Sequence, residues 1–569
     1  MLKTISRVAT VLALLIFSSQ IRAGSSSGLD ELIKSRQQTL LDDQRVRLKA
    51  LDNLPGQKSL RDEVAHYEDD RCFFIKTINL EGASALSMPI RQALVKPYLD
   101  KCLGVSNLNH ILRVITGFYI EKGWITSRAY LPQQDLSSGH LNIVIVEGLL
   151  EKLSAVGVRG ITHREIELTF PGREGQLLNL REIEQMVDQL NRLPSNNVQM
   201  ELTPGLEVGG SIVQVRNTYQ KPWRLNFSRH NDGQRSIGEQ RWNMGLAWDS
   251  PLGLADQLSL RAGQDAVSDH KRSSRNASLN YNIPWGWWSV SYDYGATGYR
   301  SSLDVDGNDF SQTGDSQRHQ LRIERLIHRN AVSKSSLIAG ISSLRADNYI
   351  GGTRLPSSNR LSEVQYAINH GRRVGSGFMN IDLGMQQGIS ALGAQKNERA
   401  QSVSPSRQPD ARYRKYSGVV SFLQPFQFWG ERLVFTSVIT AQHSEDMLFG
   451  HQQIGIGGLS SVRGFKDQSL SGDNGGYWRN ELRLTRPVNL GWMRPVFDEY
   501  GISAGYDQGV INNDRKNSNT HGRLSGNSFE LFARGRYIAS SVNFAHSLER
   551  SAKQIRRESP IYFRLDVFL

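Results

Sequence analysis

Apolar and polar positions fall into distinct textures along the chain. At the start, Lys3 and Arg7 precede an apolar run from Val8 to Phe17, followed by Ser18, Ser19 and Ala23. This is the basic, apolar, small-residue layout of an export signal, which assigns residues 1–23 to a leader cleaved near Ala23. From Leu29 to Leu51 a helical period carries a thin stripe of Leu29, Leu32, Ile33, Leu40 and Leu41 among charges. A helix this polar belongs in water, in a polar channel or on a partner. Residues 24–51 are therefore read as a helix, either a plug in a channel or a periplasmic arm. Residues 52–70, with Pro55 and Gly56, read as a linker.

Two α/β units follow, over 71–148 and 149–217. In the first, a strand over 73–80 precedes a helix over 106–122 with Leu108, Ile111, Leu112, Ile115 and Tyr119 on one face, then strands over 127–131 and 140–147. The second runs from a strand over 150–156 to a helix capped by Asn179, with Glu182 three residues on, as in a capping box. Leu180, Ile183, Val187 and Leu190 form its apolar face, and strands over 198–202 and 211–215 close the unit.

After Pro222 no helical period survives. Strict alternation takes over, as in Trp223/Leu225/Phe227 and Trp242/Met244/Leu246/Trp248, and recurs to the terminal Ile561/Phe563/Leu565/Val567/Leu569. About 16 such segments fit the period-two template, with weak ones near Leu321 and Tyr416. An even number of strands with one apolar and one polar face closes into a membrane barrel with a wet interior, here over 218–569. A soluble sandwich is the alternative, but it gives no reason for Trp and other aromatics to gather at strand ends. Ser301–Ser316 and Gln386–Arg412 read as long loops, and Pro251-Leu252-Gly253 and Pro284-Trp285-Gly286 as short turns at the opposite end.

Composition changes this picture in a few places. The 569 residues are 38% hydrophobic, and beyond the leader no run approaches the roughly 20 apolar residues of a spanning helix. That excludes a bundle of membrane helices but leaves a barrel. The net charge of +13 does not by itself argue for nucleic acid. Cys72 and Cys102 are the two cysteines. In an oxidising compartment they most simply form one bridge, two separate buried thiols being the alternative, and no His-rich neighbourhood points to a metal.

Longer motifs carry a resemblance. The run Gly123-Trp124-Ile125-Thr126-Ser127-Arg128-Ala129-Tyr130-Leu131-Pro132, with Glu147-Gly148, is similar to the first POTRA domain of two-partner secretion transporters, outer-membrane barrels that export haemolysins, adhesins and contact-dependent toxins. Leu178-Asn179-Leu180-Arg181 and Asn191-Arg192-Leu193-Pro194 resemble their second POTRA domain. Ser461-Val462-Arg463-Gly464-Phe465, followed by Ser471-Gly472-Asp473 and Arg479-Asn480-Glu481-Leu482, resembles the family's re-entrant loop motif. Gly505-Tyr506-Asp507-Gln508-Gly509 resembles its second motif, a strand with an inward carboxylate. Where the family usually ends on an aromatic residue, Phe568 here is penultimate. The resemblance implies a Cys72–Cys102 disulfide, a gating tetrad Val462, Arg463, Gly464 and Phe465, and a wall partner in Asp507 and Gly505.

Chemistry gives the same residues a reason. Gly457, Gly458 and Gly464 permit the backbone of a tight re-entrant loop. Arg463, a rigid fork of donors, needs a carboxylate once inside a barrel, and Asp507 is the candidate. A solvated arginine and a turn aspartate are the bland alternative. The two α/β units have edge strands to which an unfolded polypeptide could add, or serve only as spacers. Gly-x-Ser-x-Gly occurs at 24–28 and 501–505 without the strand–turn–helix a nucleophile needs, and no zinc-protease or phosphate-loop motif occurs. The expectation is a pore without enzyme activity, cofactor or metal. It exports one dedicated exoprotein through that partner's N-terminal secretion domain, sits in outer-membrane lipid after handling by the barrel-assembly machinery, and works as a monomer. An assembly insertase, or a passive porin or uptake channel, is the competing reading.

Overall fold

In the computed structural model the described residues are 29–54, 71–155, 160–305, 308–355, 357–396, 409–512, 521–550 and 555–569. The expected leader and most of the expected linker lie outside them. The first element is a 24-residue helix, α1 (Leu29–Asp52).

The first α/β unit contains β1 (Phe73–Ile75), β2 (Thr77–Glu81), α2 (Met88–Val95), β3 (Lys101–Leu103), α3 (Val105–Glu121), β4 (Arg128–Tyr130) and β5 (His140–Val146). The strand expected over 73–80 is broken at Lys76. Gly139 O accepts from both Lys76 N and Thr77 N there, so β1 pairs with β3 while β2 runs parallel to β5. The Cys72–Cys102 disulfide ties the residue before β1 to the middle of β3. The expected face of α3 is inside, with Leu108, Ile111, Ile115 and Tyr119 buried against Leu141, Ile143 and Ile145, and Leu112 at the margin. Each such aliphatic side chain contributes about 1.5–3 kcal/mol on burial.

The second unit contains β6 (Leu149–Ala155), α4 (His163–Thr169), α5 (Leu180–Asn191), β7 (Val198–Pro204) and β8 (Gly210–Asn217), in the sheet order β6-β8-β7. Asn179 does cap α5, but its side chain accepts from Arg181 N. The reciprocal box sits one helix earlier, between Thr162 and Glu165 at the start of α4. On α5 the buried apolar positions are Ile183, Met186 and Leu190, with Leu180 and Val187 only half-covered.

The rest is a closed antiparallel barrel. Its strands are β9 (Trp223–His230), β10 (Arg241–Asp249), β11 (Gln257–Asp265), β12 (Ser273–Trp285), β13 (Trp288–Val305), β14 (Asn308–Arg329) and β15 (Ser333–Ile350). After a two-residue flap, β16 (Thr353–Arg354), come β17 (Asn359–Val374), β18 (Gly377–Ile389), β19 (Arg414–Phe428) and β20 (Glu431–Ser444). A small inward hairpin, β21 (Ile454–Ile456) with β22 (Leu470–Gly472), interrupts the wall. The wall resumes with β23 (Gly475–Pro487), β24 (Glu499–Ile511), β25 (Gly522–Arg534), β26 (Ile538–Arg550) and β27 (Ile561–Phe568), which pairs back to β9. Leaving out the flap and the hairpin, sixteen strands close the wall.

Each alternating segment read from the sequence falls on one of these strands. The stretch expected as a loop over 301–316 is strand as well. Apart from residues 306 and 307, it extends the long hairpin of β13 and β14, whose pairing runs out to Val305↔Asn308. Gln386–Ile389 likewise belongs to β18. Outward-facing side chains such as Phe227, Met244, Leu337, Leu383 and Phe529 are exposed, whereas Ser228, Asn369, Asn380, Ser421 and Asp507 are buried inside. One apolar and one polar face per strand is what a bilayer and a wet lumen select.

Candidate functional site in the barrel lumen

The β21–β22 hairpin carries residues 457–469 into the lumen as a loop. Gly457, Gly458 and Gly464 have φ of +109°, +96° and +141°, in the left-handed half of backbone space where a Cβ is strained. Gly464 has a second constraint, because a Cβ there would stand 2.7 Å from His546 O. Gly458 N donates to Phe465 O at 2.5 Å, closing the tip. Val462 and Phe465 are fully buried, packed with Ile456, Tyr477, Ile511 and Leu524. Asp473, just after β22, accepts from Leu448 N and Gln453 Nε2, at 3.1 and 3.0 Å, and fixes the root of the loop.

Arg463 meets Asp507. Its Nε and Nη2 each donate to the carboxylate at 2.7 Å, and its backbone N–H adds a third bond at 3.0 Å. The register explains why these residues converge. Glu481 on β23 lies opposite Gly505 on β24, and Asp507 is two residues further along the same inner face. A Cβ at Gly505 would collide with the guanidinium, so the glycine opens the space that Arg463 fills. The remaining donors go to Glu481 Oε2 and Asn480 O, both at 2.9 Å. The pair is out of water, with side-chain exposures of 3% and 0%. Gly526, at a β-bulge on β25, lets Arg463 O pass 3.1 Å from where its Cβ would be. Glu481 belongs to the run already matched by motif, and its role follows from period two along β23. Gly526 had no sequence signal of its own.

The helix α1 occupies the same lumen; at 1.5 Å per residue its 24 residues span about 36 Å. Near its start, Lys34 Nζ donates to Lys466 O and Arg36 Nη1 to His451 O, both at 2.8 Å, Gln37 bonds Gly455 O, and Glu31 pairs with Arg241. Midway, Gln44 bonds Asp382 at 2.5 Å, Asn380 at 3.0 Å and Ser421 at 2.7 Å. Further on, Arg47 reaches both oxygens of Glu324 at 3.3 Å. Of its thin stripe Ile33 and Leu41 are buried, Leu41 against Val419 and Val438, while Leu48, Leu51 and, just past the helix, Leu54 add apolar cover against Phe378.

The second α/β unit packs on the short-turn end of the barrel. Gly286 N donates to Leu168 O at 2.8 Å, and Arg192 Nη2 donates to Ala255 O at 2.7 Å. Burial there lowers the Arg192 guanidinium to about 10. Arg329 reaches Glu184 at 3.1 Å and Asp188 at 2.5 Å on α5. The outer edge of β6 is already taken, by Leu150 with Gln176 and Gly175 and by the Glu174 carboxylate on Leu153 N. Among the described residues no strand neighbours the outer edge of β7.

The family model for haemolysin secretion/activation proteins of the ShlB/FhaC/HecB type matches residues 209–533. A ShlB-type POTRA domain matches 73–148 and a POTRA domain matches 150–204. The chain is 31% identical over 510 residues to an outer membrane transporter CdiB of Dickeya dadantii, covering 90% of this chain and 89% of that one. It is 29% identical over 468 residues to the hemolysin transporter protein ShlB of Serratia marcescens, covering 82% and 80%. The solved structure of CdiB from Escherichia coli superposes with a TM-score of 0.89 at 31% identity, over 96% of this chain and 100% of that one.

Proposed function

The chain belongs to the haemolysin secretion/activation family, outer-membrane transporters of two-partner secretion with periplasmic POTRA domains, and from that premise we propose that it exports one dedicated large exoprotein, a haemolysin, adhesin or toxin. The POTRA units bind the partner's N-terminal secretion domain as it arrives unfolded in the periplasm, and the chain passes through the lumen to the cell surface. One observation carries this reading above the others: the lumen is filled by a helix and a loop that are both held by side-chain contacts. A passive porin has no use for such closure or for two periplasmic units.

The open edge of β7 supports strand addition there, with backbone hydrogen bonds giving affinity for an extended segment. The tetrad Val462–Phe465 pins the loop to the wall through Asp507, and this sets whether the channel conducts. The working division is leader 1–23, plug helix 24–51, linker 52–70, POTRA units 71–148 and 149–217, and barrel 218–569. In this reading the chain acts as a monomer after insertion by the barrel-assembly machinery, binds no nucleic acid and performs no catalysis.

Co-expression with a neighbouring candidate exoprotein, scoring its appearance outside the cell, tests the proposal. Export is expected with this chain and lost without it; equal export in both strains refutes it. Deleting residues 150–217 should abolish binding of the secretion domain, and undiminished binding refutes capture by the second unit.

A further inference from the structure

We propose that Lys334 transmits the seating of the second POTRA unit to the helix in the lumen, a positioning role that rests on the transporter reading above. Its ammonium stands where three bodies meet. Lys334 itself is on β15, its Nζ lies 2.7 Å from Asp188 Oδ2 on α5, and the same Nζ donates to the Ala50 carbonyl of α1 at 3.1 Å. The lysine and aspartate side chains are 15% and 17% exposed, so the contact is largely shielded from water.

The acid and the carbonyl play different parts. Ala50 lies in the last turn of α1, where backbone carbonyls lack helical partners and the helix dipole favours a cation. Asp188 is shared, because Arg329 also reaches it at 2.5 Å. Remove Asp188 and two cations face each other with no shared acid between them. The guanidinium stays, held by Glu184 at 3.1 Å. The lysine, on a flexible stem, turns toward water and leaves the Ala50 carbonyl without its donor. The second unit remains docked meanwhile through Gly286 and Arg192. Movement of α5 away from the barrel, as when an exoprotein engages the second unit, takes Asp188 away in the same manner and loosens the helix end.

Arg373 provides an internal comparison. It donates to Asp52 O at 3.2 Å and Leu54 O at 2.9 Å, holding the same helix end. Among the described residues no residue of the second unit is bonded to its guanidinium, so its hold is independent of that unit.

The test is the open probability of the full-length protein in planar lipid bilayers, without any exoprotein. Lys334→Met and Asp188→Asn should each raise the open-to-closed ratio about tenfold, equivalent to about 1.4 kcal/mol. The double variant should rise no further than either single one, because both break one relay. Lys334→Arg, which keeps the cation and its reach, should restore closure. Arg373→Leu should instead multiply with Asp188→Asn. Wild-type behaviour of Asp188→Asn beside an open Lys334→Met overturns the relay, as does a double variant equal to the product of the singles. Lys334→Gln serves should the methionine variant fail to insert. Export scored in the same strains separates the two claims: absent export by the wild type refutes the transporter reading, whereas the conductance cycle decides the relay.

Discussion

Replacing Arg463 by alanine is the perturbation whose size follows most directly from the structure. The guanidinium makes two 2.7 Å bonds to Asp507, one 2.9 Å bond to Glu481 and one 2.9 Å bond to Asn480 O. Its removal leaves the fully buried Asp507 carboxylate with only the loop's own backbone N–H from this cluster. Breaking a buried ion pair by deleting one partner costs about 3–5 kcal/mol, mostly from the charge left behind. If the cost falls on loop seating, the ratio of detached to seated loop rises between about a hundredfold and several thousandfold. A cysteine in place of the fully buried Ser461 reports that ratio. The two native cysteines are bonded to each other, so the new thiol is the one available to a water-soluble maleimide. Labelling should accelerate by at least a hundredfold in the Arg463→Ala background and less in Arg463→Lys. Secretion should fall while the barrel still inserts and retains its heat-modifiable mobility. An unchanged labelling rate, or undiminished secretion, refutes the claim that this pair holds the loop.

Three further outcomes follow from other parts of the molecule. Removing residues 24–51 should raise pore conductance in planar bilayers, and unchanged conductance refutes the plug assignment of α1. The Cys72–Cys102 bridge closes 30 residues, worth about 3–4 kcal/mol on the chain-entropy model; Cys72→Ala with Cys102→Ala should speed proteolysis of the first unit and leave the barrel intact, and an unchanged rate counts against that stabilisation. Burial and the 2.8 Å bond to Glu147 raise the Tyr119 phenol above its ordinary value of 10. The folded state therefore favours the neutral phenol, and the stability it confers is complete below pH 10 and lost as pH rises beyond it. Proteolysis of the first unit should accelerate above pH 10 in the wild type, and Tyr119→Phe should remove that component of the pH dependence.

Much of the barrel was legible because a bilayer imposes alternation: lipid outside and water inside select opposite residues at successive positions. The same reason explains the error over 301–316. Where β13 and β14 run on past β12, paired with each other and as far as Gln312 with β15, nothing apolar is required on either face, and the strands read as loop. The two short helices were missed on other grounds. Met88–Val95 and His163–Thr169 are too short for a helical period to stand out. The second did carry a signal, since Thr162 and Glu165 have capping-box spacing. Of the lumen site, Arg463, Gly464, Asp507 and Gly505 were readable as motif residues with a chemical need for one another. The contacts of α1 were not, because Gln44 with Asn380 or Ala50 with Lys334 join residues more than a hundred positions apart that only barrel closure brings together.

The two occupants of the lumen are held in physically different ways, and the difference bears on which one moves. The loop is fixed by the deeply buried Arg463–Asp507 pair, whose rupture strands a charge, by an apolar cluster of Ile456, Val462 and Phe465, and by a second ion pair of the buried Lys466 with Glu239. Moving it is costly at the first step. The helix is held by many separate polar contacts along its length, several between neutral groups, such as Gln44 with Asn380 at 3.0 Å and with Ser421 at 2.7 Å. Neutral bonds of that kind contribute about 0.5–1.5 kcal/mol each, because folding exchanges them for bonds to water. Such contacts can be given up one after another, each step small, while the buried pair has no partial state of comparable ease. The geometry therefore favours a helix that leaves the lumen and a loop that stays against the wall, and the expected order of opening is withdrawal of α1 before any displacement of Arg463. Tethering α1 to β18 by a disulfide between Gln44→Cys and Asp382→Cys should then abolish export, and reduction should restore it. Export by the oxidised, cross-linked protein at the wild-type rate refutes this order.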